Sequence, residues 1–276
     1  MLITDEGNTM KHHSAITLGI IFLCLSACDN DIIDLKDERH VRVYQDDKAI
    51  ACQDTGQISL ATHGELLVDK NIEIHCSQKG HDGMNYTESC GSETGSINIF
   101  TIHAKDLHTA ESLGFSQLSD LPDAQLDKQC EFKVISDVRK YGLINQLRDK
   151  YAIWKAKKAP DYQFEFNMNF SDCPSFAPTP NVKITVSNNT IDTVYDLDNE
   201  TFLTDINHYM TIDELFKTLN LQLELTPIEA GLNANTPKLA PVFHDLGAPK
   251  QYFIDSGGED CDAVNYAISH VILPEN

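Results

Sequence analysis

Tyr162, Phe164, Phe166, Met168 and Phe170 alternate without interruption with Gln163, Glu165, Asn167 and Asn169. Only the two-residue period of a strand puts the first set on one face, and that face then needs a core while the other stays wet. The stretch therefore demands an antiparallel sheet covered on a single side. Upstream, Val138, Tyr141, Ile144, Leu147, Tyr151 and Trp154 recur at spacings of three and four, which predicts a helix of about five turns. Lys155, Lys157 and Lys158 complement its dipole, and Pro160 stops it. Downstream, Val182, Ile184 and Val186 predict a strand that turns at Asn188-Asn189 and returns over Ile191 to Tyr195. Thr211 and Glu214 form a capping box for a short helix with Leu215, Phe216 and Leu219 inward. Residues 220 to 240 read as loop, followed by strands at Val242 to Asp245, Gln251 to Asp255 and Val264 to Leu273. The expectation for residues 137–276 is a long helix packed on a four- to five-stranded antiparallel sheet.

Residues 41–136 predict a separate, smaller α+β unit, which makes the fold class α+β with two small domains. Its strands are expected at Val41 to Tyr44, Ile72 to Cys76 and Ile97 to Ile102, with a further element at Ala49 to Cys52 and a closing strand at Cys130 to Ile135. Ser59 caps a helix carrying Leu60, Leu66 and Leu67, and a second helix from Asp106 to Leu113 ends at Gly114. Lys79 to Gly83 reads as a turn. A unit of this size has a marginal core, so each crosslink, contributing about 3 kcal/mol, matters.

The cysteines depend on the compartment, and the N-terminus speaks to that. Lys11 precedes an apolar run from Ala15 to Leu25, of signal-peptide length and too short to cross a bilayer. It ends in Leu25-Ser26-Ala27-Cys28, which resembles the lipobox of bacterial lipoproteins. That resemblance implies cleavage before Cys28, a diacylglyceryl group on its thiol and acylation of its amine; two or three chains anchor firmly where one does not. Residues 1–27 are then a signal peptide, and 28–40 a lipidated, Asp-rich tether with too little apolar content to pack. Asp5 and Glu6 oppose a positive leader, so Met10 is the more natural start. Asp29, next to the cysteine, resembles an inner-membrane retention signal and favours that membrane over the outer one. The expected address is the cell envelope, facing the periplasm.

The formal net charge is −21, and the acidic excess survives loss of Lys11, Asp5 and Glu6 with the leader. Such a surface repels nucleic acid and anionic headgroups. The expected partners are the lipid membrane, through Cys28, and an envelope protein. Six cysteines remain beyond Cys28: Cys52, Cys76, Cys90, Cys130, Cys173 and Cys261. An even number in an exported chain predicts three disulfides. There is no Cys-x-x-Cys, so neither a zinc ribbon nor a thioredoxin-type site is indicated.

Several motifs lie on one line from residue 137 onward: Trp154 before Tyr162 and Phe164, then Cys173, the Val182-x-Ile184-x-Val186 hairpin strand, Thr211-Ile212-x-x-Leu215-Phe216, Phe243-His244-Asp245-x-Gly247-x-Pro249, and Ile254-Asp255. Together they resemble the bacterial domain-of-unknown-function family 6174, found mostly in exported lipoproteins. The departure is Asn189, where a hairpin glycine is expected. The resemblance implies a fold and a compartment but no activity. Within that unit Cys173 follows the first strand and Cys261 precedes the last, which makes them the preferred pair. Cys76 with Cys90 across a hairpin would be the local pair, leaving Cys52 with Cys130.

Candidate chemistry is sparse. His75 and His81 beside Cys76 would ligate zinc only with the thiol reduced. Asp196, Asp198 and Glu200 suggest a calcium loop, but Thr201 and Asn207 stand where an EF-hand needs Gly and Glu. Asp255, Glu259, Asp260 and Asp262 surround Cys261 as weak metal candidates, and His244, Asp245 and Asp255 are weak catalytic ones. No Gly-x-Ser-x-Gly elbow, His-Glu-x-x-His, P-loop or dinucleotide fingerprint is present. The reading is a membrane-anchored envelope lipoprotein acting as a non-catalytic binding module without a cofactor. The alternatives are a hydrolase with a dispersed site, or a cation or small-ligand sensor.

Overall fold

Five strands of the N-terminal half pair wholly antiparallel. They are β1 (His40–Asp46), β2 (Ile74–His81), β3 (Ser96–His103), β4 (Ser116–Gln117) and β5 (Gln125–Leu126), in the order β4-β1-β3-β2-β5. The computed structural model describes residues 40–53, 56–87, 89–126, 130, 134–173, 179–257 and 261–274. The leader, Cys28, Asp29 and the tether up to residue 39 lie outside the described residues.

Helix α1 (Leu60–Val68) starts where expected, with the Ser59 hydroxyl accepting from the Thr62 N–H, and lies against β2 and β3. Helix α2 (Leu107–Ser112) is followed by Gly114 at φ +96°, the left-handed backbone its C-cap requires. Val43, Leu67, Ile74, Phe100, Ile102 and Phe115 fill the core beneath α1. The expected turn at Lys79 to Gly83 is instead strand as far as His81. Gly80 is there for access: a Cβ would meet the Gln125 carbonyl oxygen at 2.8 Å, so only glycine lets β5 come alongside. That two-residue strand closes the sheet; the one expected at Cys130 to Ile135 falls largely outside the described residues.

His63, on α1, is buried, and its Nδ1 pairs with the Asn98 amide at 2.9 Å. Burial, with Lys79 and Lys48 assisting, pushes its imidazole below the usual range despite Asp47 and Asp46. In the unfolded chain it takes a proton at about pH 6.5, whereas in the fold it stays neutral to lower pH. Its contribution to stability is therefore complete above pH 6.5 and is lost as pH falls from there through the depressed folded value. Urea midpoints at pH 7.5 and 5.5 should show a smaller acid loss for His63→Gln than for the parent. An equal loss would assign the effect to other groups.

In the C-terminal half, β6 (Tyr162–Phe170), β7 (Val182–Ser187), β8 (Thr190–Asp196), β9 (Thr201–Phe202), β10 (Glu229–Gly231), β12 (Pro249–Asp255) and β13 (Ala263–Ile272) run β10-β12-β13-β6-β7-β8-β9. β11 (Val242–Phe243) pairs with β12 as well. The sheet thus has eight strands rather than four to five, because β9, β10 and β11, of two or three residues, are too short to show a period. Asn188 and Asn189, at φ +52° and +62°, make the tight turn between β7 and β8 without a glycine.

Helix α3 (Asp137–Lys155) has the expected length, but its buried face is Lys140, Leu143, Leu147 and Trp154. Val138 and Tyr141, expected inward, are exposed. Helix α4 (Ile212–Glu224) opens with the capping box, and outlasts the short helix expected by running into the segment read as loop. Ile212, Leu215, Phe216, Leu219 and Leu223 are its buried face, while α3 packs on α4. The protein is mixed α and β, with antiparallel sheets of five and eight strands.

Three disulfides brace it. Cys173–Cys261 joins the end of β6 to the start of β13, as expected. The other two pairings are exchanged: the bonds are Cys52–Cys90 and Cys76–Cys130, not Cys76–Cys90 and Cys52–Cys130. A bridge between Ile50 and Glu93, with Ala51 N–H on the Ser92 carbonyl, holds the Cys52 and Cys90 loops together. Pairing of β5 with β2 returns the chain past β2, where Cys130 meets Cys76.

Candidate metal centre

One end of the first sheet gathers three histidines. His40 opens β1 and faces His103, the last residue of β3, directly across the ladder, so their side chains share a face. β2 should contribute alternately to the same face, but its register shifts: Ile74 pairs with Ile102 and Cys76 with Thr101, leaving His75 as the extra residue of a bulge. A bulge re-aims its side chain, and here the His75 ring comes to 4.0 Å from that of His40 and 4.4 Å from that of His103. One ring nitrogen from each of the three lies within 4.8 Å of the other two. A tetrahedral ion with bonds of about 2.0–2.1 Å wants such atoms roughly 3.3 Å apart, a small side-chain rotation away.

His75 Nε2 and His103 Nδ1 are buried, and neither has a hydrogen-bond partner among the described residues; imidazole nitrogens buried in that way are costly unless something fills the demand. Burial, then the neighbouring His40, pushes the His75 imidazole below its ordinary range, which favours the neutral form that metals require. Glu73 lies 3.5 Å from His103 Nε2, and its second oxygen accepts from the Tyr141 hydroxyl on α3. Burial would raise the Glu73 carboxyl, but the Tyr141 hydroxyl, with the Lys140 ammonium assisting, outweighs it and holds it low, as a carboxylate. The Cys76–Cys130 bond sits beside the bulge and restrains it.

The residues singled out from sequence go elsewhere. His81 is at the far end of β2 from His75, with Nδ1 accepting from Gly83 N–H, and Cys76 is in a disulfide, so that trio is not assembled. Asp196 accepts from the N–H groups of Asp198 and Asn199, which is turn chemistry. His244 sits at the Pro249 end of β12, its Nε2 on the Ile268 carbonyl, and Asp245 is exposed in the adjoining turn. Asp255 ends β12 roughly 20 Å away at about 3.3 Å per residue, so His244 and Asp255 make no dyad. Burial, then Asp172 and Glu229, raises the Asp255 carboxyl. Asp262 lies near it, its N–H on Asp172, whereas Glu259 and Asp260 fall outside the described residues. Sequence reasoning missed His40 and His103, which stand one residue beyond the strands it drew.

Residues 146–272 match the model of the Family of unknown function (DUF6174). The DUF6174 match covers the second half of α3 and the strands from β6 through β13, and bears out the resemblance read from Trp154 to Asp255. His40, His75, His103, Glu73 and Tyr141 all precede the DUF6174 segment, whereas His244, Asp245 and Asp255 lie inside it. Comparison with curated proteins and with solved structures returned no match. No helix among the described residues is long and apolar enough to cross a membrane.

Proposed function

We propose that the chain is a membrane-anchored envelope lipoprotein of two disulfide-braced domains that binds a first-row transition-metal ion, zinc or copper(II), without catalysing a reaction on it. The anchor rests on the Lys11 to Cys28 leader, with Asp29 favouring the inner membrane. In the C-terminal domain α3 and α4 cover the sheet. The metal reading rests on one observation: the three imidazoles of His40, His75 and His103 converge at one end of a sheet. Neutral imidazole suits zinc, copper and nickel, whereas calcium and magnesium want oxygen. Every cysteine of residues 40–276 is in a disulfide, so thiolate does not compete to set the metal. Glu73 already serves His103 and Tyr141, which takes the nearest carboxylate out of acid–base work.

Titration of the metal-free, full-length protein with zinc in detergent should give one ion per chain. Alanine at His75 or His103 should lower affinity about tenfold to a hundredfold, with calcium and magnesium unbound throughout. Affinity that ignores both substitutions would end this reading. The address is tested separately: labelled palmitate should enter the parent and not Cys28→Ser, and equal labelling would refute it.

A further inference from the structure

The carboxylate outside the trio carries a more specific statement, which rests on the metal reading above. We propose that Glu73 is the positioning residue of the centre: it holds the proton of His103 on Nε2 and so presents the Nδ1 lone pair of His103, together with Nε2 of His75, to the ion, while Tyr141 fixes Glu73 in place.

The donor and acceptor inventory leaves little choice. A neutral imidazole carries one N–H and one lone pair, and a carboxylate only accepts. Glu73 faces Nε2 of His103 at 3.5 Å, so the proton belongs on that nitrogen, and a shift of about 0.5 Å makes the contact a hydrogen bond. The nitrogen left with the lone pair is Nδ1, which is buried and, among the described residues, without a partner. The same holds for Nε2 of His75. His40, exposed at the mouth, supplies the third nitrogen and leaves the fourth position of a tetrahedron to solvent or a ligand.

Glu73 cannot swing away freely. Its other oxygen accepts from Tyr141, and the next residue, Ile74, has its carbonyl held by Lys140 Nζ at 2.8 Å and Thr226 Oγ1 at 2.6 Å. The carboxylate is thus set from α3, by a residue that touches no ion itself. Outer carboxylates of this kind orient the ligand ring and raise its basicity, and removing one typically weakens metal binding 10- to 100-fold.

The test uses full-length protein with ¹⁵N-labelled imidazoles, its His103 signals assigned by comparison with His103→Gln. In the metal-free state, long-range ¹H–¹⁵N correlations should report His103 with its proton on Nε2, and zinc should shift Nδ1. Glu73→Gln should keep the parent near-ultraviolet spectrum and lose about tenfold to a hundredfold in zinc affinity, with Tyr141→Phe between the two. Zinc binding together with a His103 protonated on Nδ1, or undiminished affinity in Glu73→Gln, overturns the assignment to Glu73 and leaves the metal reading intact. A parent that binds no zinc overturns both.

Discussion

Replacing Cys173 and Cys261 together by serine is expected to cost about 4 to 5 kcal/mol of stability. The bond closes a segment with a sequence separation of 88 residues, and in the chain-entropy account a crosslink of that span removes roughly 4.5 kcal/mol of freedom from the unfolded chain. Within the fold it changes little, because Phe170 and Val264 beside it are already paired in the ladder between β6 and β13. The loss should therefore act through the unfolded chain and leave native spectra untouched. Trp154, the single tryptophan, is buried against Tyr162 and reports on this half. Followed through it, the melting point should fall by about 10–15 °C. A fall of under 2 °C would mean that the bond does not restrain the unfolded chain to the extent its span implies.

Lys140→Ala should cost about 3 to 5 kcal/mol. The side chain is buried, and its ammonium donates to the Ile74 carbonyl, the Glu224 carbonyl and the Thr226 hydroxyl, one hydrogen for each acceptor. Burial lowers its pKa, and the carboxylates of Glu224, Glu73 and Asp137 work against that shift. Replacing a buried charge can be neutral when its partners leave with it. Here they remain: the Ile74 carbonyl keeps the Thr226 hydroxyl as a donor at 2.6 Å, so the loss falls on the Glu224 carbonyl and the Thr226 oxygen, and each orphaned buried acceptor costs about 1–3 kcal/mol. Lys140→Met keeps the bulk and should cost less, about 2–3 kcal/mol, which separates lost hydrogen bonds from the cavity. Because Lys140 joins α3 and the end of α4 to β2, losses of that size should appear in urea melts as lower midpoints. Unchanged midpoints in both variants would show that water replaces the amine without penalty.

Legibility in the sequence followed the range of the interactions. Helix α4 was plain because its capping box and its period are both local, and β6 because nine residues alternate without a break. The face of α3 was misread because Lys140 is buried by three acceptors from distant segments, which no count of apolar spacing registers. The two exchanged disulfides depend on β5 and on the Ile50–Glu93 bridge, both too short to have a pattern. The histidine trio was hidden for a related reason. His40 and His103 meet only through the register of β1 against β3, strands separated in sequence by all of β2, and His75 joins them only through a bulge. Three histidines 35 and 28 residues apart form no motif; a longer reading of each strand by one residue was the sole clue.

The trio opens at β1, and β1 opens the described chain. Should Cys28 carry lipid, the 12 residues from there to His40, at no more than about 3.6 Å each, keep that histidine within roughly 40 Å of the bilayer surface. An ion held there would exchange with the thin layer of water beside the headgroups, where anionic lipids raise the local concentration of divalent cations above that of the bulk compartment. The leash would then set which pool the protein samples, and lengthening it would change occupancy without touching a ligand.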